Sequence, residues 1–83
     1  MIMPLYSTKE QGIAVWVCQA ASEFRNKFQV PLSEFRELDN QYSILGYLFD
    51  NYEYLHYGAT HVAASEIAAY LKETGGVKLS EAS

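Results

Sequence analysis

The chain is poor in cysteine, in basic residues and in long apolar runs, and each shortage excludes a class of protein. Its one cysteine, Cys18, cannot close an internal disulfide. The longest uninterrupted apolar run, Ile13 to Cys18, is far short of the roughly 20 residues that cross a bilayer, so no membrane span is expected. No basic stretch leads into an apolar segment near the start, from which a cytoplasmic protein without a signal peptide is expected. Internal repeats and low-complexity segments are also lacking. What is present is a chain of 83 residues, 49% apolar, with a net charge of -4. That balance excludes a disordered tail, and the length suits one small domain.

Hydrophobic spacing predicts an all-α fold, a small bundle of three longer helices plus one short helix. Residues 1–6 are expected to be a lead-in, 7–76 a single helical domain and 77–83 a flexible tail. Ser7-Thr8-Lys9-Glu10 fits a capping box, with a hydroxyl at the N-cap and a carboxylate three residues on. From there to about Gln29, the residues Ile13, Trp16, Val17, Ala20, Phe24 and Phe28 share one helical face, with Val15 as a misfit and Cys18 at the flank. Val30-Pro31 ends this helix, because the residue before proline is pushed out of the α region. Ser33 suits the N-cap of a short second helix carrying Phe35 and Leu38, and Asp39-Asn40 reads as the turn after it.

A third helix is expected from Gln41 or Ser43 to Leu55. It places Ile44, Leu45, Leu48, Phe49, Tyr52 and Leu55 inward, and Gly58 serves as its C-terminal break. Ala59 to Val62 reads as a short extended link. A fourth helix from about Ala63 to Thr74 gathers Ala63, Ala64, Ile67, Tyr70 and Leu71 on one face and stops at Gly75-Gly76. Connections this short make neighbouring helices antiparallel.

Little in this pattern suggests catalysis. A thiolate nucleophile needs an adjacent base, and Cys18 with His56 or His61 is the sole combination available. A cysteine in an apolar helix is ordinarily a small hydrophobe. His56 and His61 are five apart with Asp50, Glu53 and Glu66 nearby, whereas two zinc ligands on one helix are spaced i, i+4 and Gly58 interrupts any helix holding both. A half-buried His56 bonded to a local carbonyl is the plainer reading. Gly75-Gly76 lacks the strand and helix that frame a phosphate-binding loop. No catalytic residue, metal or cofactor is expected, and the chain is read as no enzyme.

Nucleic acid is disfavoured by charge. Phosphate neutralisation needs clustered cations, but Lys9, Arg25, Lys27, Arg36, Lys72 and Lys78 are scattered, and none lies between Glu37 and Leu71. A DNA-binding or transcription-regulating helical module remains the alternative, with a basic partner or a dimer supplying the charge.

That same stretch holds five acids, Glu37, Asp39, Asp50, Glu53 and Glu66, and five of the seven tyrosines lie between Tyr42 and Tyr57. An ordinary solvated face is the plainer explanation of the acids. The sharper one is a protein-binding surface with Tyr47, Asp50, Glu53, Tyr54 and Tyr57 outward, since tyrosine over an unbalanced charge field is the composition of an interface. A homo-oligomer through the same face is the related alternative.

The run Tyr52-Glu53-Tyr54-Leu55-His56-Tyr57-Gly58, followed by Glu66-Ile67-Ala68-Ala69-Tyr70-Leu71, resembles a group of short bacterial all-α proteins classed as a domain of unknown function. In that group a Tyr-x-x-Leu-His-x-x-Gly-like motif ends the third helix, and an Ile-x-x-Tyr-Ile/Leu ending closes the last. The resemblance covers about Gln11 to Lys72 and assigns Tyr52, Leu55, His56, Ile67, Tyr70 and Leu71 to the motif positions. Gly58 comes one residue earlier than the family's glycine. Such proteins are often encoded beside an ADP-ribosyltransferase-like protein. The resemblance therefore implies an antitoxin-like or chaperone-like partner of a bacterial toxin or effector enzyme, and it transfers no catalytic residue.

Overall fold

The computed structural model describes residues 8–79, with side chains from residue 11 onward. The lead-in and Ser7, the expected N-cap, lie outside the described residues, as do the side chains that would close the expected capping box. Among those described there are five α-helices and no strand: α1 (Thr8–Phe28), α2 (Leu32–Tyr42), α3 (Ile44–Asp50), α4 (Tyr52–Leu55) and α5 (Thr60–Gly75). The fold is all-α as expected, but it divides differently. The expected short second helix has 11 residues, and the expected long third helix is broken in two.

The apolar face of α1 behaves as its spacing dictates. Val17, Ala20 and Phe24 are buried, and Ile13, Trp16 and Phe28 pack half-buried beside them. Val15 is exposed, as a misfit should be. Cys18 is also exposed, so it is not the small core hydrophobe expected there; its position at the flank of the stripe puts it beyond the covered face. The helix ends at Phe28, and Gln29 after it takes the left-handed conformation at φ 51. The Val30 N–H then reaches the Arg25 carbonyl at 2.9 Å, and the buried Val30 seals the turn, the arrangement of a Schellman cap.

Two assignments around α2 are corrected by hydrogen bonds. Ser33 is not an N-cap: α2 starts at Leu32, capped by Pro31 at φ -62, whose carbonyl accepts the Phe35 N–H at 2.9 Å. Asp39-Asn40 is not a turn. Both residues lie inside α2, and the Asp39 carboxylate is used further along, accepting the Leu45 N–H of α3 at 2.9 Å. The reversal falls instead at Ser43, which is left-handed at φ 54.

Asn51 separates α3 from α4. Its Nδ2 donates to the Tyr47 carbonyl at 2.8 Å while its own N–H reaches the same oxygen at 3.0 Å. A side chain that competes for a helical carbonyl in this way favours a break.

The link before α5 is shorter than expected. Only Ala59 is extended, at φ -70 and ψ 158, and Thr60 already belongs to the helix. Gly58 follows the end of α4 without a left-handed φ; its N–H bonds the Leu55 carbonyl at 3.2 Å. The left-handed glycine is Gly76, at φ 67, whose N–H returns to the Lys72 carbonyl at 2.9 Å and closes α5. The chain then doubles back, and Val77 and Leu79, within the span read as a flexible tail, pack against the core.

The core joins four of the helices around α1. Its largest fully buried members are Phe24 of α1, Ile44 and Leu48 of α3, and Ile67 and Leu71 of α5, with Phe35 of α2 and Leu55 of α4 at the margin. The most extensive helix pairing is α1 with α5. Ala20 on one side and Ala63 and Ala64 on the other are completely buried, and side chains this small let the two backbones come close. Phe49, expected inside, is 51% exposed. The short α3 turns only Ile44 and Leu48 fully into the core, and Phe49 falls beyond that narrow face.

Candidate functional site

Two of the chain's aromatic rings meet where α3 and α5 approach each other. Tyr47 projects from α3 and stacks on Tyr70 of α5, with centroids 4.2 Å apart and planes 22° from parallel. The expectation that Tyr47 points outward is therefore corrected: it is half-buried in this stack, because the ring of Tyr70 reaches it from α5, which a single-helix projection of α3 does not include. Tyr54 and Tyr57 do point outward, 78% and 85% exposed, and Asp50 and Glu53 are exposed beside them. Four of the five expected surface residues are thus on the surface, and the fifth forms its inner wall.

Two further acids belong to the same face: Glu66, noted in the sequence as part of the acidic stretch but not placed on this surface, and Glu73, not singled out there. Glu66 and Glu73 are exposed on α5 and flank Tyr70 at spacings of four and three. Their proximity is felt at Tyr47, whose hydroxyl is held above the ordinary tyrosine range, first by burial and then by the negative charge of Glu66, with Tyr54, Glu73 and Tyr70 adding to it. The i, i+4, i+7 pattern Glu66, Tyr70, Glu73 was available in the sequence as the signal for this stripe. Phe49, at 51% exposure, is a further aromatic on the outer surface of α3.

The motif residues serve mainly as structure. Leu55, Ile67 and Leu71 are buried in the core. Tyr52 places its ring edge-on against Trp16, with centroids 5.3 Å apart and planes at 83°. His56 lies parallel to Tyr52 at 4.3 Å, and its Nδ1–H donates to the Tyr52 carbonyl at 2.7 Å. That is the local carbonyl bond expected of it, and it commits one ring nitrogen. The ring of Tyr57 lies against that of His56, with centroids 4.2 Å apart and planes tilted by 35°. No group of three or more His, Cys, Asp or Glu side chains is arranged to hold a metal among the described residues.

Two open grooves elsewhere on the described residues hold no converging chemistry. One, lined by Gln19, Ser22, Glu23, Asn26 and Thr60, is polar and lies between α1 and the start of α5. The other is lined by Ala68, Ala69, Lys72, Val77, Lys78 and Leu79. No described helix is long and apolar enough to cross a membrane. No protein-family model, curated protein or solved structure matches the chain.

Proposed function

We propose that this protein is a non-enzymatic, cytoplasmic protein-interaction module that engages its partner through the α3–α4 surface. The observation that carries the reading is the exposure of Tyr54 and Tyr57, 78% and 85%, beside the carboxylates of Asp50 and Glu53. Large aromatic side chains left in water gain most from being covered, and tyrosine does so at low entropic cost while keeping its hydroxyl hydrogen-bonded. The charge opposes nucleic acid as the covering molecule, since no Lys or Arg lies between Glu37 and Leu71.

The resemblance to the short bacterial family supplies a candidate partner, an ADP-ribosyltransferase-like protein encoded next to it, with this chain in an antitoxin-like role. Co-expression of the two, followed by size-exclusion chromatography with light scattering, tests the assignment. A stoichiometric complex that elutes ahead of either component supports it. A chain that elutes as a concentration-dependent dimer and ignores the neighbour instead assigns the surface to self-association.

A further inference from the structure

Tyrosines and carboxylates on this side of the molecule are arranged in two stripes rather than one cluster. Along α3 and α4, Tyr47, Asp50 and Tyr54 recur at i, i+3 and i+7; along α5, Glu66, Tyr70 and Glu73 recur at i, i+4 and i+7. Spacings of this kind put Tyr47 and Asp50 on one side of α3 and Glu66, Tyr70 and Glu73 on one side of α5; Tyr54 follows on α4, beyond the break at Asn51, near enough to Tyr47 to act on its hydroxyl. The stripes join where Tyr47 stacks on Tyr70 at 4.2 Å. The result is a floor of aromatic rings with a carboxylate on α3 and two on α5.

The charges of this face are not balanced from within. Asp50, Glu66 and Glu73 take part in no ion pair among the described residues. The nearest following cation in sequence, Lys72, lines the groove with Ala68 and Ala69 on another flank of α5. Arg25 is turned to the end of α1, where its Nε donates to the Val30 carbonyl at 3.1 Å. An anionic ligand would be repelled here, and a purely apolar partner would bury three carboxylates without compensation, which is costly. A cation relieves both problems. Between the two cationic side chains, arginine fits better: its planar guanidinium stacks on a tyrosine ring and also forks onto a carboxylate, whereas lysine offers a strongly hydrated point charge.

We infer that the face where Tyr47, Tyr54 and Tyr70 meet Asp50, Glu66 and Glu73 is the docking surface for an arginine-bearing segment of the partner protein. This deepens the interaction-module reading and rests on it. The guanidinium lies over the exposed Tyr54 ring and the Tyr47–Tyr70 pair, with Glu66 and Glu73 as its carboxylate partners.

The test titrates the full chain with three synthetic peptides of one sequence, carrying arginine, lysine or citrulline, the last matching arginine in shape without its charge. Backbone and tyrosine-ring NMR shifts report the site. Expected are saturable shifts confined to the six named residues and their neighbours, with the citrulline peptide weaker by about ten-fold or more and the lysine peptide in between. Glu66→Lys with Glu73→Lys should lower arginine-peptide affinity by a similar factor with an unchanged circular dichroism spectrum. Should that variant lose its fold, Glu66→Gln with Glu73→Gln replaces it. Equal binding of the citrulline peptide, shifts mapping to α1, or affinity indifferent to the charge changes would overturn the inference. A partner complex that survives the Glu66 and Glu73 changes but not changes at Asp50 and Tyr54 overturns the arginine assignment alone and leaves the interaction reading standing. A wild-type chain that forms no complex removes that reading as well.

Discussion

The hydroxyl of Tyr70 donates a hydrogen bond to the backbone carbonyl of Tyr42, 28 residues away in sequence, and so ties α5 to the end of α2. The same ring stacks on Tyr47, so one side chain fastens two helix junctions and forms part of the interaction face. A side chain on Gly75 would overlap the ring of Tyr42, which explains why the last residue of α5 carries none.

Two substitutions at this junction separate the hydrogen bond from the packing. Tyr70→Phe keeps the ring stack and loses the bond, at a cost of about 1 kcal/mol, or roughly 4–8 °C in Tm for a domain this size. Gly75→Ala should cost more, about 1–3 kcal/mol, because a half-buried ring must move to admit a methyl group. Thermal unfolding by circular dichroism measures both. A Tyr70→Phe protein as stable as wild type would show that the bond contributes nothing.

Gln29 offers a stabilising change. Its left-handed φ of 51 costs a residue with a side chain about 1–2 kcal/mol, while glycine brings an entropic penalty of roughly 0.5–1 kcal/mol. The strain term is the larger, so Gln29→Gly is expected to gain about 0.5 kcal/mol, seen as a rise of a few degrees in Tm. Destabilisation would mean that the Gln29 side chain makes a compensating contribution.

Alkaline pH tests the environment of Tyr47. Its hydroxyl is held above the ordinary tyrosine range by burial and by Glu66, then Tyr54, Glu73 and Tyr70. A raised pKa in the folded state favours the neutral form there. The resulting stability is fully present below the unfolded tyrosine pKa and is lost as pH climbs through the folded value. Tyr47→Phe should therefore flatten the alkaline arm of the stability profile, and Glu66→Gln should move the Tyr47 ring titration, followed by NMR, to lower pH. An unmoved titration would place Glu66 too far away to matter.

Much of the fold is legible in the spacing of apolar residues, because α1 and α5 are long enough to average out local exceptions: Val17, Ala20, Phe24, Ile67 and Leu71 are buried where periodicity puts them. The breaks are harder to read, because they depend on which backbone group a polar side chain chooses. Asp39 looks like a turn residue yet caps the following helix at Leu45, and Asn51 interrupts a helix by competing for the Tyr47 carbonyl. The face is legible in part. Exposure of Asp50, Glu53, Tyr54 and Tyr57 follows from their side of the helix, whereas the contribution of Glu66, Tyr70 and Glu73 depends on the Tyr70 ring reaching Tyr47 of α3, a tertiary fact that no single helix encodes.

The central claim is that the tyrosine–acid surface is where the partner binds. The most direct measurement compares two double variants in a calorimetric titration against the co-expressed partner. Tyr54→Ala with Asp50→Lys alters the proposed surface, and Gln19→Ala with Glu23→Lys alters the polar groove beside α1 as a control. Both should unfold like the wild type, since all four residues are exposed. Loss of binding by at least about a hundred-fold in the first variant, with wild-type affinity in the second, is the predicted result. Unchanged affinity in the first variant would contradict the account.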